Sequence, residues 1–131
     1  MPINKIIAVV DDDPIFQVIA KKMISICAPD WRVVEFGSGI DTIDFLKIHH
    51  AEIENIPDVM LLDINMPQFD GWMFLEEFKK IKEVLKKPIS IYLTSSSIDP
   101  KDIARAKQEP DLVDYIIKPL TEEITRKITA E

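Results

Sequence analysis

The sequence is short of the residues that several protein classes require. Its single cysteine, Cys27, excludes an intrachain disulfide and a multi-cysteine metal centre. No apolar run is longer than the five residues Ile6–Val10, whereas a bilayer span needs about 20. Asp11-Asp12-Asp13 follow that run at once, so it is no signal peptide. Positive charge is in deficit. Sixteen Lys and Arg against 23 Asp and Glu leave a net −7 and a pI near 4.8, which opposes non-specific binding to nucleic acid or anionic lipid. No repeat, low-complexity tract or linker interrupts the chain. What is there is a globular composition, 47% apolar and 30% charged over 131 residues, the size of one domain with one core. The expectation is a small cytoplasmic protein with a single domain over residues 1–131.

Short runs rich in Ile and Val alternate with longer amphipathic stretches. The runs Lys5–Val10, Arg32–Phe36, Asp58–Leu62, Ile89–Leu93 and Val113–Ile117 are mostly unbroken by polar residues, as strands buried on both faces should be. Between them, Phe16, Ile19, Met23 and Ile26 recur at helical spacing, as do Leu75, Phe78, Ile81 and Leu85, and finally Leu120, Ile124 and Ile128. Further helices are expected near Asp41–Ile48 and Pro100–Gln108. Asp13-Pro14 and Asp99-Pro100 each read as an N-cap followed by proline at the first helical position. Five β units alternating with five α units predict an α/β fold, a doubly wound five-stranded parallel sheet with helices on both faces.

In such sheets ligands bind beyond the carboxyl ends of the strands. Asp11, Asp12 and Asp13 follow the first run, Asp63 and Asn65 the third, Thr94 and Ser95 the fourth, and Lys118-Pro119 the fifth. Strand order 2-1-3-4-5 makes the first and third ends neighbours. Taken singly, each residue has a plain structural reading. Asp13 is a helix cap because Pro14 follows, Asp11 and Asp12 fit a loop as well as a site, Asp63 fits a turn, and Thr94 and Lys118 fit a polar loop and a solvated charge. Their joint placement at four strand ends is hard to attribute to chance. Crowded carboxylates repel, a hard divalent cation relieves them, and oxygen-only donors select Mg²⁺. A carboxylate beside that cation can act as a nucleophile toward a phosphoryl group, with the lysine and threonine at the transferring oxygens.

Val9-Val10-Asp11-Asp12, Leu62-Asp63-Ile64-Asn65-Met66-Pro67 with Asp70-Gly71, Leu93-Thr94-Ser95 and Tyr115-Ile116-Ile117-Lys118-Pro119 together resemble the receiver domain of two-component response regulators. The resemblance runs from about Lys5 to Ile128. It implies a flavodoxin-like, CheY-like (βα)5 fold and roles at matched positions. Asp63 would accept a phosphoryl group from a sensor histidine kinase or histidine phosphotransfer protein. Asp12 would ligate Mg²⁺ directly, Asp11 would assist, often through water, and Asn65 would lend its backbone carbonyl. Thr94 and Tyr115 would be the switch residues, Ser95 the small residue beside the phosphoryl group, and Lys118 its cationic partner. Lys118–Pro119 would be a cis peptide. The resemblance also places the output surface on the fourth helix, fifth strand and fifth helix.

The competing reading is a Mg²⁺-dependent phosphatase of the haloacid dehalogenase type, with Asp11 as nucleophile in Asp11-x-Asp13. Ile15 stands where that family has Thr or Val, and the chain has no room for its cap. Only twelve residues follow Pro119, so no output domain is expected and the signal would leave through a protein contact. His49 and His50 read as surface loop residues, Cys27 as core packing, and Trp31 and Trp72 carry no functional signal.

Overall fold

The computed structural model describes residues 5–130; residues 1–4 and 131, the two ends of the expected 1–131 domain, lie outside the described residues. Each apolar run becomes a strand and each amphipathic stretch a helix. The order is β1 (Ile6–Val10), α1 (Pro14–Cys27), β2 (Arg32–Phe36), α2 (Gly39–Ile48), β3 (Val59–Asp63), α3 (Gly71–Ile81), β4 (Ser90–Ser95), α4 (Pro100–Lys107), β5 (Leu112–Ile117) and α5 (Glu122–Ile128). All strands are parallel in the order β2-β1-β3-β4-β5, the expected arrangement.

Alternate residues of the central strands point to opposite faces, and both faces are apolar. Ala8, Val10, Met60, Leu62, Ile91 and Leu93 pack against α2, α3 and α4 through Ile43, Leu46, Phe74, Leu75, Phe78 and Ala106. Ile7, Val9, Val59 and Leu61 pack against α1 and α5 through Phe16, Ala20, Ile24 and Ile128. The edge strands β2 and β5 are only partly covered, because each has a neighbour on one side alone. Burial on both faces therefore holds for β1 and β3 rather than for all five runs.

The caps follow the sequence. Asp13 Oδ1 accepts the Ile15 N–H at 2.9 Å and Asp99 Oδ1 the Lys101 N–H at 2.9 Å, each with proline at the helix start. Asp70 Oδ1 accepts the Met73 N–H at 2.9 Å. Two expectations are corrected. The inward stripe of α1 is Phe16, Gln17, Ala20 and Ile24, while Ile19 and Ile26 face solvent; the helix is apolar on several sides, and the sheet selects the stripe. Cys27 is half-buried outside both core clusters, its thiol directed at the Glu122 carbonyl of α5 at 3.8 Å. No helix among the described residues is long and apolar enough to cross a membrane.

Gly71 brings α3 against the end of β3. A Cβ there would lie 3.0 Å from the Ile64 Cα, 3.0 Å from Leu93 Cδ1 and 3.1 Å from the Asp63 carbonyl oxygen. Two of those atoms are backbone and cannot swing aside. Gly71→Ala is expected to cost about 1–3 kcal/mol of stability, the usual scale of overpacking, outweighing the gain of up to about 1 kcal/mol in helix propensity. Urea unfolding measures this, and a variant as stable as the native chain contradicts the packing argument.

Candidate functional site

The carboxyl ends of β1, β3, β4 and β5 bring the expected side chains together. Asp63 is the last residue of β3 and pairs in register with Thr94 of β4. Asp11 follows β1 directly, its N–H bonded to the Phe36 carbonyl at 3.0 Å. Lys118 follows β5, its N–H bonded to the Ser95 carbonyl at 2.7 Å, and the Lys118–Pro119 bond is cis as expected.

Asp11, Asp12 and Asp63 each offer a carboxylate oxygen within 4.8 Å of the others. Asp11 and Asp63 are buried, Asp12 is exposed. Lys118 Nζ lies 2.7 Å from Asp11 Oδ2 and 3.5 Å from Asp63 Oδ1. The same ammonium sits 4.3 Å above the Phe16 ring, an arrangement that favours the cation. Asp11 Oδ1 accepts the Asp13 N–H at 2.9 Å, and Asp63 Oδ1 the Asn65 N–H at 3.3 Å. Three carboxylates thus face one ammonium. The donors are all oxygen and open to solvent at Asp12, which fits a hard divalent cation. Thr94 Oγ1 is buried and has no hydrogen-bond partner among the described residues, an uncommon cost for a hydroxyl. Tyr115 is half-buried and donates its hydroxyl to the Ser97 carbonyl at 3.3 Å. Asn65 is exposed, its side-chain amide 3.5 Å from Ser95 Oγ. Asp13 is drawn away from the cluster by its capping bond.

Two parts of this neighbourhood carry no signal in the sequence. Gln17 reaches from α1 to the carbonyls of Val9, Asp11 and Phe36. Trp72 of α3 donates Nε1 to Asp102 Oδ1 at 3.3 Å, with the Arg105 guanidinium 4.2 Å over its ring. Through these contacts Trp72 ties the first turns of α4 to α3. His49 and His50 lie at the end of α2, away from this cluster, where His49 Nδ1 meets Glu52 at 3.1 Å.

Residues 7–129 match the family model described as the response regulator receiver domain. A two-component response regulator of rice, ORR1 from Oryza sativa subsp. japonica, is 28% identical over 116 residues, 87% of this chain and 49% of the rice protein. The chain thus spans about half the length of that curated relative. The crystal structure of a two-component response regulator from Cytophaga hutchinsonii has a TM-score of 0.87 and 26% identity, covering 98% of this chain and 96% of that one. The phosphorylated cyanobacterial phytochrome response regulator RcpA has a TM-score of 0.75 and 25% identity, covering 97% and 90%.

Burial raises the Asp63 carboxyl above the ordinary carboxylate range and the charge of Asp11 adds to this, while Lys118 and the Asn65 N–H oppose it. A raised folded value means that the contribution of Asp63 to stability is fully present below the unfolded value and is lost as pH rises through the folded one. Asp63→Asn is therefore expected to be more stable than the native chain near neutral pH in chelator, with the gap closing as the pH is lowered toward the ordinary carboxylate range. Chemical denaturation across that range tests it. A gap independent of pH contradicts the origin assigned to it.

Proposed function

The chain belongs to the response regulator receiver domain family, and on that premise we propose that Asp63 is its phosphoacceptor and that phosphorylation switches a protein-binding surface. The observation that carries this is the convergence of Asp63, the unpartnered Thr94 hydroxyl and Lys118 at adjoining strand ends. The phosphatase reading is not carried forward: Asp11 is buried with both carboxylate oxygens engaged by Lys118 and the Asp13 N–H, and the match to receiver domains spans residues 7–129.

An Asp63 carboxylate oxygen attacks the phosphorus of a phosphohistidine on a sensor kinase or phosphotransfer protein. The P–N bond breaks, the imidazole leaves with its electron pair and takes up a proton, and an aspartyl phosphate remains. Mg²⁺ held by Asp11, Asp12, Asp63 and the Asn65 carbonyl would offset charge on the transferring oxygens. Lys118 has its ammonium beside Asp63 and donates to one phosphoryl oxygen. Thr94, whose hydroxyl gains its first partner, donates to another. As Thr94 is drawn to the phosphoryl group, Tyr115 turns into the space beside it and the population of an active arrangement grows. The chemistry proposed for this domain is its own phosphorylation and dephosphorylation.

The α4–β5–α5 face is the proposed exit for the signal. Beside Tyr115 it carries a cavity of about 360 Å³ lined in part by Ile103, Ala106, Leu112 and Val113. The net charge of −7 over the whole chain disfavours DNA as the partner, and a cytoplasmic location is proposed from the kinase partner.

Treatment with acetyl phosphate and Mg²⁺ is expected to add one phosphate by intact mass. The addition should vanish in chelator and in Asp63→Asn, and fall sharply in Asp12→Ala. Asp13→Ala should retain it while losing about 0.5–2 kcal/mol of stability, the usual cost of a lost cap. Labelling that survives Asp63→Asn, or equal losses in the Asp12 and Asp13 variants, contradicts the assignment.

A further inference from the structure

Gln17 sits in the first turn of α1, 7% exposed, within the apolar stripe that includes Phe16, Ala20 and Ile24. Its Nε2 donates toward three backbone carbonyls, Val9 at 3.0 Å, Asp11 at 3.0 Å and Phe36 at 3.1 Å. The amide orientation is settled by this set, since the flipped form would turn an acceptor toward three acceptors. Oε1 is buried without a partner among the described residues. A buried amide is costly unless bonded, and an apolar side chain would satisfy the stripe without that cost.

The three carbonyls flank the cation-binding loop. Phe36 O also accepts the Asp11 N–H, and the Asp11 carboxylate is engaged by Lys118 and the Asp13 N–H. Asp11 is therefore held through its N–H, its carbonyl and both carboxylate oxygens. Asp12 is different. It is exposed, and its carboxylate has no hydrogen bond or ion pair among the described residues. The Asp11 carbonyl belongs to the planar peptide group that joins Asp11 to Asp12, so a bond that fixes this oxygen also fixes where the Asp12 Cα departs.

We propose that Gln17 is a positioning residue: by holding the Asp11–Asp12 peptide plane it sets the otherwise unsupported Asp12 carboxylate within reach of a cation shared with Asp11 and Asp63. This rests on reading the acidic cluster as a cation site. It assigns to α1 a role in metal affinity in addition to packing.

The test uses the full chain with Mn²⁺ as probe, free Mn²⁺ being counted by electron paramagnetic resonance and folding checked by circular dichroism. Gln17→Met keeps the length and removes the donors, and Gln17→His restores one ring N–H. The expected result is about 10–100-fold weaker Mn²⁺ binding in Gln17→Met, the range seen when groups orienting metal ligands are lost, with part of it regained in Gln17→His. A folded Gln17→Met chain that is less stable yet binds Mn²⁺ within about twofold of native makes Gln17 a structural clasp only and overturns the proposal. If Gln17→Met does not fold, Gln17→His decides alone: binding at least about threefold weaker than native supports the proposal and native affinity overturns it. A native chain that binds Mn²⁺ no better than Asp12→Ala removes the cation-site reading, and this proposal with it, an outcome distinct from a native-like Gln17→Met.

Discussion

Asp11 and Asp63 are buried side by side, with Asp12 close by, and share the single ammonium of Lys118. Two unit charges at 4.8 Å repel by about 3–4 kcal/mol at an effective dielectric near 20. That is a large fraction of the roughly 5–15 kcal/mol by which a domain of this size is stable. Lys118, 2.7 Å from Asp11 and 3.5 Å from Asp63, opposes that repulsion, but one ammonium among three carboxylates leaves negative charge in excess. The folded chain thus holds an all-oxygen cluster of the kind that a hard divalent cation relieves, and burial, with the charge of Asp11 second, keeps the Asp63 carboxyl raised.

The fold answers this constraint with rigidity. Central strands packed on both faces fix the ends from which Asp11, Asp63 and Thr94 project. Gly71 lets α3 close on the Asp63 carbonyl without a side chain between them. On the far side, Gln17 clamps the ends of β1 and β2. The first turns of α4 depend on Trp72, Asp102 and Arg105, a lighter attachment than the sheet provides. A charged centre held by the sheet beside a more lightly tethered helix is the pairing that the proposed switch would need.

Most of the architecture was legible because each central strand is an apolar run and each site residue stands directly after one. β4 extends past the expected Ile89–Leu93 to Ser95, since the ladder continues through Thr94 and Ser95, whose polar side chains break the apolar count but not the pairing. The α1 stripe was misread because Ile15, Val18, Ile19 and Ile26 are apolar and still face solvent; periodicity has no purchase on a helix apolar around most of its circumference. Gln17 was hidden for the same reason, a polar residue in a stripe that only the sheet defines. The Trp72–Asp102 contact joins separate helices, and no local pattern announces it. Asp11, Asp12, Asp63, Thr94 and Lys118 were found from position and residue type, whereas the roles of Tyr115 and Asn65 came only with the family resemblance.

We propose Asp63, rather than Asp11, as the nucleophile, since both carboxylate oxygens of Asp11 are engaged by Lys118 and the Asp13 N–H. Borohydride reduces an acyl phosphate to an alcohol, leaving homoserine in place of the phosphorylated aspartate. After exposure to acetyl phosphate and Mg²⁺, peptide mass mapping of the reduced chain should find homoserine at position 63 and nowhere else. Homoserine at position 11 would contradict the account.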